Sequence, residues 1–162
     1  MGTKALTMLE PLRQGPPPLD SAFASAAVSC TLPARYEAVR EARQFTRATL
    51  SRWALDHRID DIALVTSELV TNALRHALPG DALGNCESAE NAVGLHLERH
   101  RSRLVCAVRD LSAKGPVARA VDDFAAESGR GLFLVDSFSE SWGWHPTPEP
   151  DQGKIVWALF AL

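Results

Sequence analysis

The sequence has no apolar run approaching the roughly eighteen residues of a membrane-spanning helix. Its first residues also lack the basic region, apolar stretch and cleavage site of an export signal. A cytoplasmic protein without membrane attachment is expected. Cysteine is scarce: Cys30, Cys86 and Cys106 are odd in number and without paired spacing, so neither a disulfide framework nor a zinc ribbon is indicated. An excess of basic residues is also missing. Seventeen Lys and Arg against twenty Asp and Glu give a formal charge of -3, which argues against direct nucleic-acid binding by phosphate neutralisation. No internal repeat indicates a solenoid. His96 and His100 fall in an alternating, strand-like segment, where a four-residue offset spans about 13 Å and is too long for one ion. What is present is a core-forming composition over 162 residues, 46% hydrophobic and 23% charged, the size and balance of one globular domain.

Residues 1–22 contain Gly15-Pro16-Pro17-Pro18 and no apolar period, so they are expected to form a flexible leader that packs little, before a single domain over 23–162. Residues 25–32 read as a first strand ending at Pro33. Ala38, Ala42, Phe45, Thr49 and Trp53 recur at steps of three and four and predict an amphipathic helix, with Arg40, Arg43 and Arg47 on another face. That arginine stripe is either a solvated surface or a docking face for a partner. A second helix is expected over 61–77, stopped by Pro79-Gly80. Val93, Leu95 and Leu97, then Leu104, Cys106 and Val108, alternate with their neighbours and predict a hairpin. Residues 111–128 read as a loop, Gly129-Arg130-Gly131 as the opening of a helix over 132–138, and 141–145 and 155–162 as two further strands. This order predicts an α+β fold, a two-layer sandwich with a mixed, mainly antiparallel sheet covered on one face by helices.

Three features bear on chemistry. On the second helix Glu68, Asn72 and His76 lie in one row beside the apolar arc of Ile62, Leu69, Val70 and Ala73. Taken alone, they are polar residues at the edge of a core. Asp110 ends an apolar strand, where it is either a turn former or a fixed ligand-facing carboxylate. Gly129 and Gly131 at a helix start allow backbone N–H groups to approach a phosphate closely.

The conjunction and order of these features resemble the GHKL superfamily of ATP-binding domains, shared by sensor histidine kinases and gyrase. Within it the chain is similar to small bacterial anti-sigma-factor serine kinases. The matching stretches are residues 67–77, 108–116, 129–136 and 153–157, and the likeness spans about residues 25–162. The resemblance implies a Bergerat-type ATP-binding fold with ATP and Mg2+ as cofactors. It implies Glu68 as general base, Asn72 as the magnesium ligand and Asp110 as acceptor for the adenine amino group, favouring adenine over guanine. Ser112 and Pro116 follow in the same motif, residues 111–128 match the lid, and Gly129, Arg130, Gly131 and Leu132 match the phosphate-facing segment. Ser112 stands where many members have glycine, and Ile155 where a threonine hydroxyl frequently supports the adenine contact. Trp142, Trp144 and Trp157 read as core or sheet-face residues, not a stacking platform. The implied function is serine-protein kinase activity that moves the ATP γ-phosphate to an antagonist protein, with sequestration of a sigma factor. The alternative is an ATP-gated binding module without kinase activity. The implied partners are a sigma factor, its antagonist and, in a homodimer, a second copy of the chain.

Overall fold

The computed structural model describes residues 13–77, 92–110, 127–148 and 153–162. Strand β1 (Arg13–Gln14) is followed by β2 (Ala26–Leu32), helices α1 (Glu37–Arg52) and α2 (Ile59–Ala77), and the hairpin β3 (Val93–Arg99) and β4 (Arg103–Asp110). Helix α3 (Glu127–Phe138), β5 (Ser141–Pro146) and β6 (Lys154–Ala161) complete it. The strands form one sheet in the order β1-β5-β6-β4-β3-β2, antiparallel throughout except for the parallel β1–β5 pair. The expected α+β two-layer sandwich is the fold observed.

Local sequence explains the elements. Helix α1 has Glu37 in its first turn and Arg52 in its last, signs that suit the helix dipole, and it buries Ala38, Ala42, Thr46, Thr49 and Leu50. It ends with Ala54 at φ 56°, the left-handed conformation usually left to glycine, as Leu55 N–H closes onto the Leu50 carbonyl at 2.8 Å. In the sheet the alternation of the hairpin sets register: Leu95 faces Val108 and Leu97 faces Cys106, while Val108 and Cys106 face Val156 and Ala158 of β6. Ile62, Val65, Leu69 and Ala73 of α2 and Val135 of α3 join this row in the main core. Thr66 Oγ1 meets Cys106 Sγ at 3.3 Å, fixing α2 over β4. Burial pushes the Cys106 thiol up to about 12, so it is an inert core thiol. Cys30 is also free, and Cys86 lies outside the described residues.

On the opposite sheet face residues 13–19 do pack, which corrects the expectation for this part of the leader, while residues 1–12 lie outside the described residues. Arg13 and Gln14 pair with Gly143 and Trp144, the Gly15 amide donates to Trp144 O at 2.9 Å, and the Trp157 indole N–H donates to Gly15 O at 2.7 Å. Leu19 packs on a second apolar cluster of Val105, Trp157 and Leu159. The cause is β6, apolar on both faces, whose outward residues need cover that the helices cannot supply.

His96 and His100 are joined through the side chain between them. Alternation puts residues 96, 98 and 100 on one face, and Glu98 accepts from His96 Nε2 at 3.2 Å and from His100 Nε2 at 2.6 Å. Among the described residues no group of three or more His, Cys, Asp or Glu could hold a metal. Burial opposes the Glu98 charge, but hydrogen bonds from His100, His96 and Ser21 outweigh it and hold the carboxyl below its ordinary value of 4.5. The stability from this depressed carboxyl is therefore fully present above pH 4.5 and is lost as pH falls through the lowered value. Thermal melts across the acid range should show this loss in the wild type and lose that part of the pH dependence in Glu98→Gln. An identical acid profile in the variant contradicts the assignment.

Candidate functional site

Helix α2 holds most of its hydroxyl groups within itself: Thr66 donates to Ile62 O, Ser67 to Ala63 O and Thr71 to Ser67 O, at 2.8, 2.8 and 2.7 Å. Glu68 and Asn72 are left as the polar pair on the row. Asn72 Nδ2 is buried and has no hydrogen-bond partner among the described residues. Glu68 is half-buried, and that burial raises its carboxyl above the ordinary 4.5, with the nearby Arg75 and Arg43 charges acting in the opposite direction. Arg43 Nε also donates to Ser67 Oγ at 3.2 Å. One member of the α1 arginine stripe thus turns toward the site, while Arg47 lies 3.6 Å from Asp60 in an exposed pair of small energetic weight.

The expected loop over 111–128 gives way to α3 two residues early, at Glu127, so Gly129 and Gly131 lie inside the helix and not ahead of it. Gly131 is one turn in, where its amide is past the open N–H groups of the helix end. What Gly131 supplies is closeness. A Cβ there would stand 2.7 Å from Glu68 Oε2, so α3 closes on the carboxylate at a point no side chain can occupy undisturbed. Gly131→Ala should therefore displace the Glu68 head group, the mobile end of its side chain, while alanine gains roughly 0.5–1 kcal/mol of helix preference over glycine. The expected result is an unchanged or raised Tm with a shifted Glu68 carboxyl resonance. A carboxyl resonance identical to that of the wild type shows that the close approach does not constrain Glu68.

Leu132 is 2% exposed and packs in the main core. Ser112, Pro116 and the lid segment 111–126 lie outside the described residues, as do the side chains of Arg130 and His76.

Asp110, 1% exposed, does end β4 on the helix-facing side, and Lys154, 0% exposed, faces it across the sheet. The Lys154 Nζ donates to Asp110 Oδ1 at 3.0 Å and lies 2.9 Å from Oδ2. This corrects the position assigned to the threonine substitute. Lys154 shares its face with Val156, Ala158 and Phe160, whereas Ile155 pairs with Arg109 and by alternation shares the opposite face with Trp157. Trp142 and Trp157 are fully buried, and Trp142 Nε1 donates to Asp136 Oδ1 at 3.2 Å, so they are packing residues as expected.

Topology draws the two pairs toward one end of the sheet. Helix α3 ends at Phe138 and the chain enters β5 directly, where Ser141 pairs with Leu159 and Pro146 with Lys154. A helix lying back over the sheet therefore carries its Gly131 end toward the edge where Pro146, Lys154 and Asp110 meet, and Glu68 lies against Gly131. The carboxylate and amide of one helix, the first turns of a second helix and a strand-terminal carboxylate thus border one region.

The family model for the histidine kinase-like ATPase domain matches residues 32–160. The chain belongs to that family. No curated protein matches it. Membership implies ATP binding, and the residues present suit that ligand. Asn72 offers an amide whose buried nitrogen lacks a partner among the described residues, Gly131 lets α3 approach the Glu68 carboxylate closely, and Asp110 is an acceptor fixed in place. Among the described residues no helix is long and apolar enough to cross a membrane.

Proposed function

We propose that the chain is an ATP-binding regulatory protein that transfers the γ-phosphate to a serine of an antagonist protein and sequesters a sigma factor when the antagonist is modified. The observation that carries this reading is Glu68: its carboxyl, raised by burial, lies against the glycine of α3 that the family uses near phosphate. Glu68 takes the proton of the attacking serine hydroxyl, the serine oxygen bonds to the γ-phosphorus, and the bond to the β–γ bridging oxygen breaks as ADP leaves. Asn72 would hold Mg2+ through its amide oxygen, a donor suited to a hard cation. A bound Mg2+ supplies charge neutralisation across the phosphates. Asp110 receives the adenine amino group, and Arg43 and Arg75 add positive charge beside the base.

The test is capture of cellular partners on the purified chain with and without Mg-ATP, followed by incubation with γ-labelled ATP. The expected result is label on a serine of a captured protein. Capture that requires Mg-ATP but yields no label leaves an ATP-gated binding module. Capture indifferent to nucleotide, without label, overturns the reading.

A further inference from the structure

Lys154 is fully buried in a row whose other members, Val156, Ala158 and Phe160, are apolar. Burying an ammonium is costly unless it is paired, and an apolar residue would continue that row without the cost. Lys154 and Asp110 are direct cross-strand partners, and Nζ spans both carboxylate oxygens at 3.0 and 2.9 Å. That contact does two things to the carboxylate. It restrains the group through the hydrogen bond to Oδ1, with the ammonium charge also 2.9 Å from Oδ2. It also favours the ionised form, which only accepts hydrogen bonds. A carboxylate has about four acceptor positions, so the ammonium does not exhaust them.

We infer that Lys154 is the positioning residue for base recognition: it orients Asp110 and keeps it acceptor-only, so that the site takes the adenine amino group and refuses the guanine carbonyl. The inference rests on the ATP-binding reading above and adds to it the group that enforces the choice of base. Without the ammonium, the buried carboxylate loses the adjacent counter-charge that favours its ionised form, and the protonated form gains. The resulting O–H is a donor, which suits the guanine oxygen and weakens the bond from the adenine amino group. Lys154 thus sets base choice through Asp110, without needing to touch the nucleotide.

The test is calorimetric titration of Mg-ATP and Mg-GTP into the wild type, Lys154→Met, Asp110→Asn and the double variant. In Lys154→Met, ATP affinity should fall by roughly tenfold to a hundredfold, and the preference for ATP over GTP should narrow by about tenfold. In the Asp110→Asn background the lysine change should add less than about twofold, because the two act as one unit. A Lys154→Met protein that melts earlier yet binds and discriminates as the wild type does overturns the inference, as does full additivity in the double variant. If Lys154→Met does not fold, the wild type decides by NMR. The Lys154 Nζ and Asp110 carboxyl resonances should shift saturably with ATP and stay in place with GTP at the same concentration, and resonances unmoved by saturating ATP overturn it. A wild type that binds neither nucleotide is a separate outcome: it removes the ATP-binding reading itself, and this inference with it.

Discussion

Under the proposed kinase reading, Glu68→Gln is expected to leave ATP bound and to slow phosphoryl transfer by roughly a hundredfold to ten-thousandfold, the usual contribution of a positioned general base. Glutamine keeps the size of the side chain and its place against Gly131, so binding and fold should persist. The amide cannot take the proton of the attacking hydroxyl. Because burial holds the Glu68 carboxyl above 4.5, the wild-type rate should fall on acidification through a value above 4.5, as the base becomes protonated. That acid limb should be absent from the residual activity of the variant. Single-turnover transfer of labelled phosphate, with ATP affinity measured separately, checks both statements. Wild-type transfer rates in the variant remove Glu68 as the base.

Asp110→Asn should have two separable effects. The first is on stability: Lys154 is left as a buried charge without its counter-charge, and breaking a buried pair costs about 3–5 kcal/mol. The second is on the ligand: under the proposed adenine contact, a charge-assisted bond from the adenine amino group becomes a weaker one, a loss of roughly 1.5–3 kcal/mol, or about tenfold to more than a hundredfold in ATP affinity. Chemical denaturation and calorimetry read these independently. Asp110→Asn/Lys154→Met removes both charges and should recover much of the stability, since apolar replacement of a buried ion pair is often neutral or favourable. It should not recover ATP affinity. Recovery of both indicates that Asp110 serves only the fold.

Much of this architecture was legible from local pattern. The hairpin alternation predicts the observed register, and the three-and-four spacing of Ala38, Ala42 and Thr49 predicts the buried face of α1. Glu68, Asn72 and Asp110 stand out in the sequence because their spacing and order are themselves local. Three features depended on contacts distant in sequence. Gly15-Pro16-Pro17-Pro18 has no periodic signal, yet Gly15 O accepts from the Trp157 indole and Leu19 packs on the back of the sheet. The signal that could have revealed it is the unbroken apolar run Ile155–Ala161, which marks a strand covered on both faces. Lys154 has no local signal of its own, since a lysine before an apolar run reads as a solvated strand end. Counting alternate positions back from Val156 places the lysine on the core face, where a buried cation calls for an acid such as Asp110. Arg43 looked like one of three surface arginines, and only the packing of α1 on α2 brings it to Ser67 and the Glu68 charge.

The central claim is an adenine nucleotide pocket bordered by α2, α3 and the ends of β4 and β6, and its most direct test is thermal unfolding of the wild type in the presence of nucleotide. A ligand that binds only the folded chain adds RT ln(1 + [L]/Kd), about 2.7 kcal/mol at a hundredfold excess over Kd. Mg-ATP should raise Tm in a concentration-dependent way and Mg-GTP at equal concentration should raise it far less. A Tm that does not move at millimolar Mg-ATP, or that moves equally with both nucleotides, contradicts the account.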